Sequence, residues 1–421
     1  MVMALAKGKT NTDFKQSEVG SIPTDWSIKL LPEVCRFRGG KAHEQFVSEH
    51  GKYVCVNSKF ISTDGAVRKF ATKNFCPAKR GDILMVMSDL PNGKALAKTY
   101  VSDVDDLYAV NQRVCSLTPY RDDSKYLAYA LNRNRYFLRF DDGVSQTHLL
   151  NPVFQNCPVV VPSSIKEQQA IAAALSDADA LIEGLESLLA KKRAIKQGAM
   201  QELLSGRRRL PGFSCKWEEA TFAEVFAFLP TATNARDDLS DEGDAAYVHY
   251  GDIHTRFHEI LDFSRMSPPR IERHRCPNAA TLKNGDWIMA DASEDFDGVA
   301  KSVEVTGLKT GDVAISGLHT FLLREKKPTF APGFKGYLGN AKQLREQYLR
   351  VMTGMKVYAV SKTALCDLVV PVPERKEQEA IRDVLNDMSE ELIALEGRLA
   401  KARQIKQGMM RELLTGRVRL V

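Results

Sequence analysis

The sequence predicts an α+β protein: two globular domains separated by two long antiparallel coiled-coil helices, with pseudo-two-fold symmetry. Three observations predict it. Residues 166–210 align without a gap on residues 376–420, with 25 of the 45 aligned positions identical. Each copy carries an apolar heptad seam and contains no proline. Each also follows a stretch of some 160 residues, and those two stretches are hardly alike. Internal repetition is read before anything else, because it dictates the architecture. A domain–helix unit written twice gives spans of 1–162 (first domain), 163–209 (first helix), 210–372 (second domain) and 373–421 (second helix). A two-fold relating the two units would make the helices antiparallel.

The seam of the first copy is Ile171, Leu175, Ala178, Ile182, Leu185 and Leu189. The second has Ile381, Leu385, Met388, Leu392, Leu395 and Leu399 at the same offsets. Steps of four and three in alternation are the a/d positions of a narrow coiled-coil seam, not the wider stripe of a surface helix. Two matching seams in one chain favour mutual pairing over simple core packing. At 1.5 Å per residue, about 40 residues make a rod of roughly 60 Å. Each copy ends in Leu-Leu-Ser/Thr-Gly, with Gly206 and Gly416 as C-cap glycines. Gly198 and Gly408 lie inside the helices, where glycine costs about 1 kcal/mol against alanine. Close approach of another backbone and a tolerated weak spot are both open readings.

The two variable stretches share a layout. Trp26 with Glu33-Val34 matches Trp217 with Glu224-Val225 at a constant offset. Gly81-Asp82 and Gly285-Asp286 are turns that lead into apolar strands, Ile83-Leu84-Met85 and Trp287-Ile288-Met289. Pro158–Pro162 and Leu368–Pro371 close each stretch with a Val-rich strand. Further β-type runs are Tyr53–Val56 and Tyr247–Tyr250, and one helical stretch precedes each closing strand.

Composition bounds the function. The chain is 44% hydrophobic, as globular proteins are, and no apolar run approaches the roughly 18 residues of a membrane span. The start MVMALAKGKT is too short and polar for a signal peptide, so a soluble cytoplasmic protein is expected. The cysteines are scattered singly without a C-x-x-C pair, which predicts buried free thiols and neither a zinc site nor a disulfide framework. Residues 1–160 hold 22 Lys+Arg against 16 Asp+Glu, an excess of +6 that suits a polyanion. Residues 215–372 hold 19 against 22, and would need local patches such as Arg270, Arg273, His274 and Arg275.

Catalytic signals are thin. Gly8-Lys9-Thr10 ends like a phosphate loop, but Met3 stands where the upstream glycine belongs. His249, His254 and His258 cluster in sequence, yet the segment reads as extended, which would keep His254 and His258 from sharing a metal. Asp291, Glu294, Asp295 and Asp297 read as a solvated loop. No glycine-rich cofactor loop and no adenine-methyltransferase motif occurs, so no catalytic or metal residue is assigned and the chain is not expected to be an enzyme.

The layout resembles the DNA-specificity subunit of type I restriction–modification systems over nearly the whole chain. The residues that carry the resemblance begin with Pro162, Lys166, Glu167, Gln168, Ala170 and Ile171, repeated as Lys376, Glu377, Gln378, Ala380 and Ile381. The helix exits follow, Ile195-Lys196-Gln197-Gly198 to Gly206 and Ile405-Lys406-Gln407-Gly408 to Gly416, together with Trp26, Trp217, Gly81 and Gly285. The resemblance implies that the variable stretches are target-recognition domains reading an asymmetric, bipartite double-stranded DNA target. It implies that the repeats space those domains and bind two methylation subunits, with restriction subunits as further partners. It also implies a non-catalytic role inside an adenine-N6 methyltransferase and endonuclease complex. S-adenosylmethionine then belongs to the methylation subunits, ATP and Mg to a restriction subunit, and no cofactor to this chain. The acidic balance of the second domain and its Asp237–Asp244 loop depart from what DNA contact asks for.

Base readers belong on loops, carried by amide and cationic side chains. The candidates are Arg38, Lys41, Asn57, Lys59, Asn92, Lys94 and Gln146 in the first domain, and His249, Arg256, Lys301 and Lys356 in the second. A coiled-coil scaffold that binds only protein is the rival reading, and it predicts no salt-sensitive DNA binding.

Overall fold

A computed structural model describes residues 13–91 and 93–420. The Gly8-Lys9-Thr10 segment, Asn92 and Val421 lie outside the described residues. The described residues divide into two compact units, 13–186 with 398–420, and 187–397.

The first unit is built on β1 (Ser27–Leu30), β2 (Cys35–Gly39), β3 (Tyr53–Val56), α1 (Ser58–Ser62), β4 (Ile83–Val86), β5 (Ser88–Asp89), β6 (Thr99–Val101), β7 (Tyr108–Val110), β8 (Val114–Pro119), α2 (Ser124–Leu131), β9 (Thr147–His148) and β10 (Pro158–Val161). An antiparallel sheet runs β2-β8-β4-β6, and β3 pairs with β7 in parallel. The run Ile83–Val86 is buried at every position because β4 is covered on both faces. Ile83 and Met85 join the cluster around Trp26 and Leu127, whereas Leu84 and Val86 join the cluster around Val54 and Phe60. Side chains alternate across a strand, so an unbroken apolar run marks a middle layer. β10 pairs antiparallel with β1 and zips the domain's ends together before α3 (Ile165–Leu203) begins.

The second unit repeats the plan with β11 (Glu218–Thr221), β12 (Phe226–Leu229), β13 (Ala245–Val248), α4 (Tyr250–Thr255), β14 (Ile260–Asp262), β15 (Trp287–Ala290), β16 (Ala292–Ser293), β17 (Ser302–Thr306), β18 (Ala314–Ser316), β19 (Thr320–Glu325), α5 (Phe334–Leu338), β20 (Tyr358–Ala359), β21 (Val369–Val372) and α6 (Arg375–Leu413). Its main sheet runs β12-β19-β15-β17-β14, and β13 pairs with β18 in parallel. Again the central strand feeds two cores: Trp287 and Met289 enter one, Ile288 the other. β21 closes on β11 as β10 does on β1.

The repeat motif has a physical reason. In the first unit the Glu167 carboxylate accepts the Trp26 indole N–H at 3.2 Å and the Arg419 guanidinium, whose Nη2 lies 2.8 Å away. In the second unit Glu377 accepts Trp217 at 2.8 Å and Arg209 at 2.5 and 2.6 Å. Both carboxylates are buried. Gln168 and Gln378 act alike, each amide binding the carbonyl of the proline before its helix, Pro162 and Pro373, at 3.0 and 2.8 Å. Gly206 and Gly416 adopt left-handed φ values of 68° and 70°, and a Cβ there would press on Trp217 or on Pro23 and Trp26. Each unit thus joins the start of one repeat to the end of the other.

Within each unit the two helical segments run antiparallel. In the first, Arg403 pairs with Glu186 and Lys406 with Asp179. In the second, Lys192 pairs with Glu391 at 2.7 Å and Arg193 with Glu396 at 2.5 Å. Ile171, Leu175, Leu185, Leu189, Ile381, Leu385, Leu395 and Leu399 are buried, while Ile182, Met388 and Leu392 are half-buried. Nothing stands within 4 Å of a Cβ placed on Gly198 or Gly408, so no backbone among the described residues approaches them.

Some expectations need correction. The strand expected over Tyr247–Tyr250 stops at Val248, because His249 caps α4 by accepting the Gly251 N–H at 3.1 Å. The segment holding His254 is therefore helical, not extended, and α4 ends before His258. No cluster of metal-ligating residues occurs among the described residues. Six cysteines are buried as expected, but Cys215 is exposed and Cys366 half-buried. Burial pushes the Cys35 and Cys157 thiols up to about 12. Among the described residues no helix is long and apolar enough to cross a membrane.

Candidate nucleic-acid interface

The parallel pair β3/β7 brings two strand ends to one edge of the first domain, and the end of β4 joins them. Four backbone hydrogen bonds fix this edge: Asn111 N–H to Val56 O at 3.1 Å, Met87 N–H to Arg113 O at 2.9 Å, Ala97 N–H to Val86 O at 2.9 Å, and Leu149 N–H to Met87 O at 2.8 Å. The second domain repeats all four. Gly317 bonds Val248 at 2.9 Å, Asp291 bonds His319 at 3.1 Å, Ala300 bonds Ala290 at 3.0 Å, and Val360 bonds Asp291 at 2.9 Å. Ala97 and Ala300 share a left-handed φ of 56° and 55°. Loops of unrelated sequence thereby occupy one frame, in which Asn57 corresponds to His249, Ser58 to Tyr250 and Arg113 to His319.

The first edge is polar and cationic. An open cavity of about 460 Å³ is lined by Asn57, Lys59, Lys69, Asn111, Gln112 and Arg113, among others. Asn57 caps α1 through the Phe60 N–H at 2.9 Å. Glu44 accepts the Asn111 and Gln112 amides at 3.0 and 3.2 Å, and the Asn111 bond leads in holding its carboxyl below the usual range. Arg113, Lys59, Lys41 and Lys94 are exposed, with no side-chain ion pair among the described residues. Lys41 bridges to Asn111, so it belongs to the same edge.

The second edge is aromatic. Tyr250 sits among three imidazoles, with ring centroids 4.5 Å from His249, 5.8 Å from His254 and 5.4 Å from His319. Burial leads in depressing the pKa values of His249 and His254 below the ordinary imidazole value; nearby Arg236 adds to it at His249 and Lys301 at His254. His319 pairs with Asp291 at 3.2 Å. Asp291 is half-buried, and burial raises its pKa, so it is not the solvated residue that its acidic run suggested.

The structure gathers most of the expected site residues at these edges. Lys41, Asn57, Lys59, Lys94 and Gln146 lie on or beside the first, although the Gln146 amide is engaged by Ser88 at 2.9 Å. His249, Lys301 and Lys356 lie on or beside the second, with Lys301 tied to the His254 carbonyl at 2.8 Å. Arg38 is drawn instead to the Pro77 carbonyl at 2.5 Å and to Asp82 at 3.8 Å, the turn at the far end of β4. Arg256 sits at the other end of α4, bound to Asp252 at 3.4 Å. The basic cluster at 270–275 is occupied locally: Arg275 pairs with Asp238 of the acidic loop, and Arg270 binds the Gly243 carbonyl at 2.6 Å.

Residues 23–191 match the family profile described as "Type I restriction modification DNA specificity domain". The "Type I restriction enzyme MjaVIII specificity subunit" of Methanocaldococcus jannaschii is 21% identical over 97% of this chain and 96% of its own length. Residues 23–191 thus carry a type I restriction–modification DNA-specificity domain, and over nearly its whole length the chain is similar to a specificity subunit. In fold it is similar to the crystal structure of a type I restriction–modification S subunit from M. genitalium, with 16% identity, a TM-score of 0.55 and 92% of this chain covered against 96% of that one. A chain from a structure described as "complex assembly and conformational transition of the type I R-M system" shows 15% identity and a TM-score of 0.57, covering 94% of this chain and 99% of its own.

The edges also hold Gln112, Arg113, Tyr250, His254 and His319, none of them among the residues the sequence nominated as base readers. A signal existed for the first two: Asn-Gln-Arg is a polar tripeptide set between Val110 and Val114. Tyr250 and His319 are 69 positions apart in sequence, and only the β13/β18 pairing brings them together.

Proposed function

We propose that this chain reads DNA for a type I restriction–modification complex, each domain's edge entering the major groove over one half of an asymmetric, bipartite target. The observation that carries the reading is the common frame of the two edges with unlike side chains in it. Arg113 and the lysines suit guanine N7 and O6, Asn57 and Gln112 suit adenine, and Glu44 can accept from cytosine N4. The imidazoles and Tyr250 of the second edge offer a different set of donors, acceptors and ring faces. Unlike halves are what an asymmetric target requires. We also propose that the repeat helices pair as an antiparallel coiled coil with pseudo-two-fold symmetry, a reading supported by the matching Trp26–Glu167–Arg419 and Trp217–Glu377–Arg209 junctions. Two half-sites about one turn (10–10.5 bp) apart would then be read from one side of the duplex.

The repeat offers two equivalent faces, so two methylation subunits would dock, bringing S-adenosylmethionine with them; ATP and Mg would belong to any restriction subunit. The test is binding of random and selected duplex DNA by the chain with and without methylation subunits, across a salt series. The lysines and Arg113 of the first edge predict a steep loss of affinity with salt, and the unlike edges a preference for one sequence. Salt-insensitive or absent DNA binding by the assembled complex would favour the protein-only scaffold. Mass measurement of the complex at saturating partner checks the two-to-one composition, and a stable one-to-one assembly contradicts it.

A further inference from the structure

The two most exposed large apolar side chains among the described residues are Met355 at 93% and Val144 at 84%. They hold the same place in the two domains. β9 pairs with β5 so that Thr147 faces Asp89, and β20 pairs with β16 so that Tyr358 faces Ser293. Three residues before Thr147 stands Val144; three before Tyr358 stands Met355. Both β9 and β20 continue into the residues that bond the edge frame, Leu149 and Val360.

Each tip is built rather than frayed. The Asp142 carboxylate accepts the N–H groups of Val144 and Ser145, both at 2.9 Å, and the Ser145 hydroxyl at 2.8 Å. In the second domain Thr353 and Ala359 exchange backbone bonds of 2.9 and 2.8 Å, and Gly354 turns the chain at a φ of 119°, where a Cβ would collide with the Val357 carbonyl. Two loops of different sequence and different stabilisation thus present their most exposed apolar side chain at one frame position, with Val357 at 54% beside Met355 in the second. Burial in the domain's own core explains neither.

Resting on the proposed reading of DNA, we propose that Val144 and Met355 each pack on the C5 methyl of a thymine, one in each half-site. That methyl is the only apolar group on the major-groove edges of the four unmodified base pairs. The neighbouring readers, Arg113 and Gln112 or Tyr250 and His319, address its polar groups. Asp142, beside the first tip, is held anionic by the loop's own N–H groups, which disfavours seating that tip on a phosphate.

The experiment uses the full chain assembled with its methylation subunits, and the target found by sequencing methylated sites in cells. Synthetic duplexes carry uracil in place of each thymine in turn, which deletes one methyl and nothing else. One position in each half is expected to weaken binding about fourfold, the effect of one buried methyl group. Val144→Ala should abolish that sensitivity in one half only, and Met355→Ala in the other only. Sequence-specific binding with every uracil duplex equal to its parent would overturn the proposal and leave the DNA reading standing. Absence of any sequence preference would instead remove the DNA reading. Loss of methylation subunits from either variant would assign the tips to a protein contact and overturn the proposal.

Discussion

The junctions between helix and domain and the edges of the same domains obey opposite rules. At the junctions Trp26, Glu167, Gly416 and Arg419 of the first unit recur as Trp217, Glu377, Gly206 and Arg209 of the second, residue for residue. At the edges the backbone frame recurs while the side chains change, from Asn57, Gln112 and Arg113 to His249, Leu318 and His319. A buried carboxylate that must satisfy one indole and one guanidinium leaves no freedom of residue type. A loop held in place through its backbone hydrogen bonds leaves far more of it. Constancy therefore marks what holds the domains on the helices, and divergence marks what differs in purpose.

The largest effect is expected at the junctions. Glu167→Ala removes the buried carboxylate between Trp26 and Arg419 and leaves the Arg419 guanidinium, whose side chain is 11% exposed, with the exposed Asp25 alone at 2.8 Å; it should cost about 3 kcal/mol in urea unfolding. Glu377→Ala should cost nearly as much, its Arg209 being somewhat more exposed at 24%. A variant with native stability in one unit alone would break the equivalence of the two junctions.

A fragment of residues 1–209 sharpens the same comparison. It keeps the first domain, α3 and Arg209, and loses Arg419 together with the partner segment of α6. Two copies can restore both, with Arg209 of each engaging Glu167 of the other and the seam from Ile171 to Leu189 buried again. Light scattering should find a homodimer that, with methylation subunits, directs methylation to an inverted repeat of the first half-site. A soluble monomer, or a dimer still reading the asymmetric target, would contradict this.

The smallest effect separates the edges by pH. His249 and His254 are depressed chiefly by burial, so the unfolded chain binds protons that the folded second domain rejects. Stability is then complete above the ordinary imidazole pKa of 6.5 and falls as pH drops below it. His249→Asn, which installs the residue found at the equivalent cap in the first domain, should flatten part of that fall in thermal melts between pH 7.5 and 5, the range bracketing histidine titration. An unchanged slope would place the acid sensitivity elsewhere.

How much of this was legible follows from the range of the interactions. The α3 and α6 helices and the Gly81 and Gly285 turns are local patterns, and they form where the sequence places them. Glu167 and Glu377 stood out as repeated residues, but their bonds to Arg419 and Arg209, 252 and 168 positions away, required the fold. Lys335 carries no sequence signal at all, yet it is buried between Glu304 at 3.1 Å and Glu325 at 2.5 Å. The Tyr247–Tyr250 run read as a strand because its composition is that of one. A histidine side chain cap decided otherwise.

The most direct test alters one edge at a time and reads the target in cells. Complexes carrying Arg113→Ala or His319→Ala would be compared with the parent by sequencing their methylated sites. A lost base contact costs about 1–3 kcal/mol and relaxes specificity at its own position. Arg113→Ala should relax one base pair in one half of the target, and His319→Ala should act only in the other half. Relaxation of both halves by either variant, or of neither half by both, would contradict the assignment of one edge to each half-site.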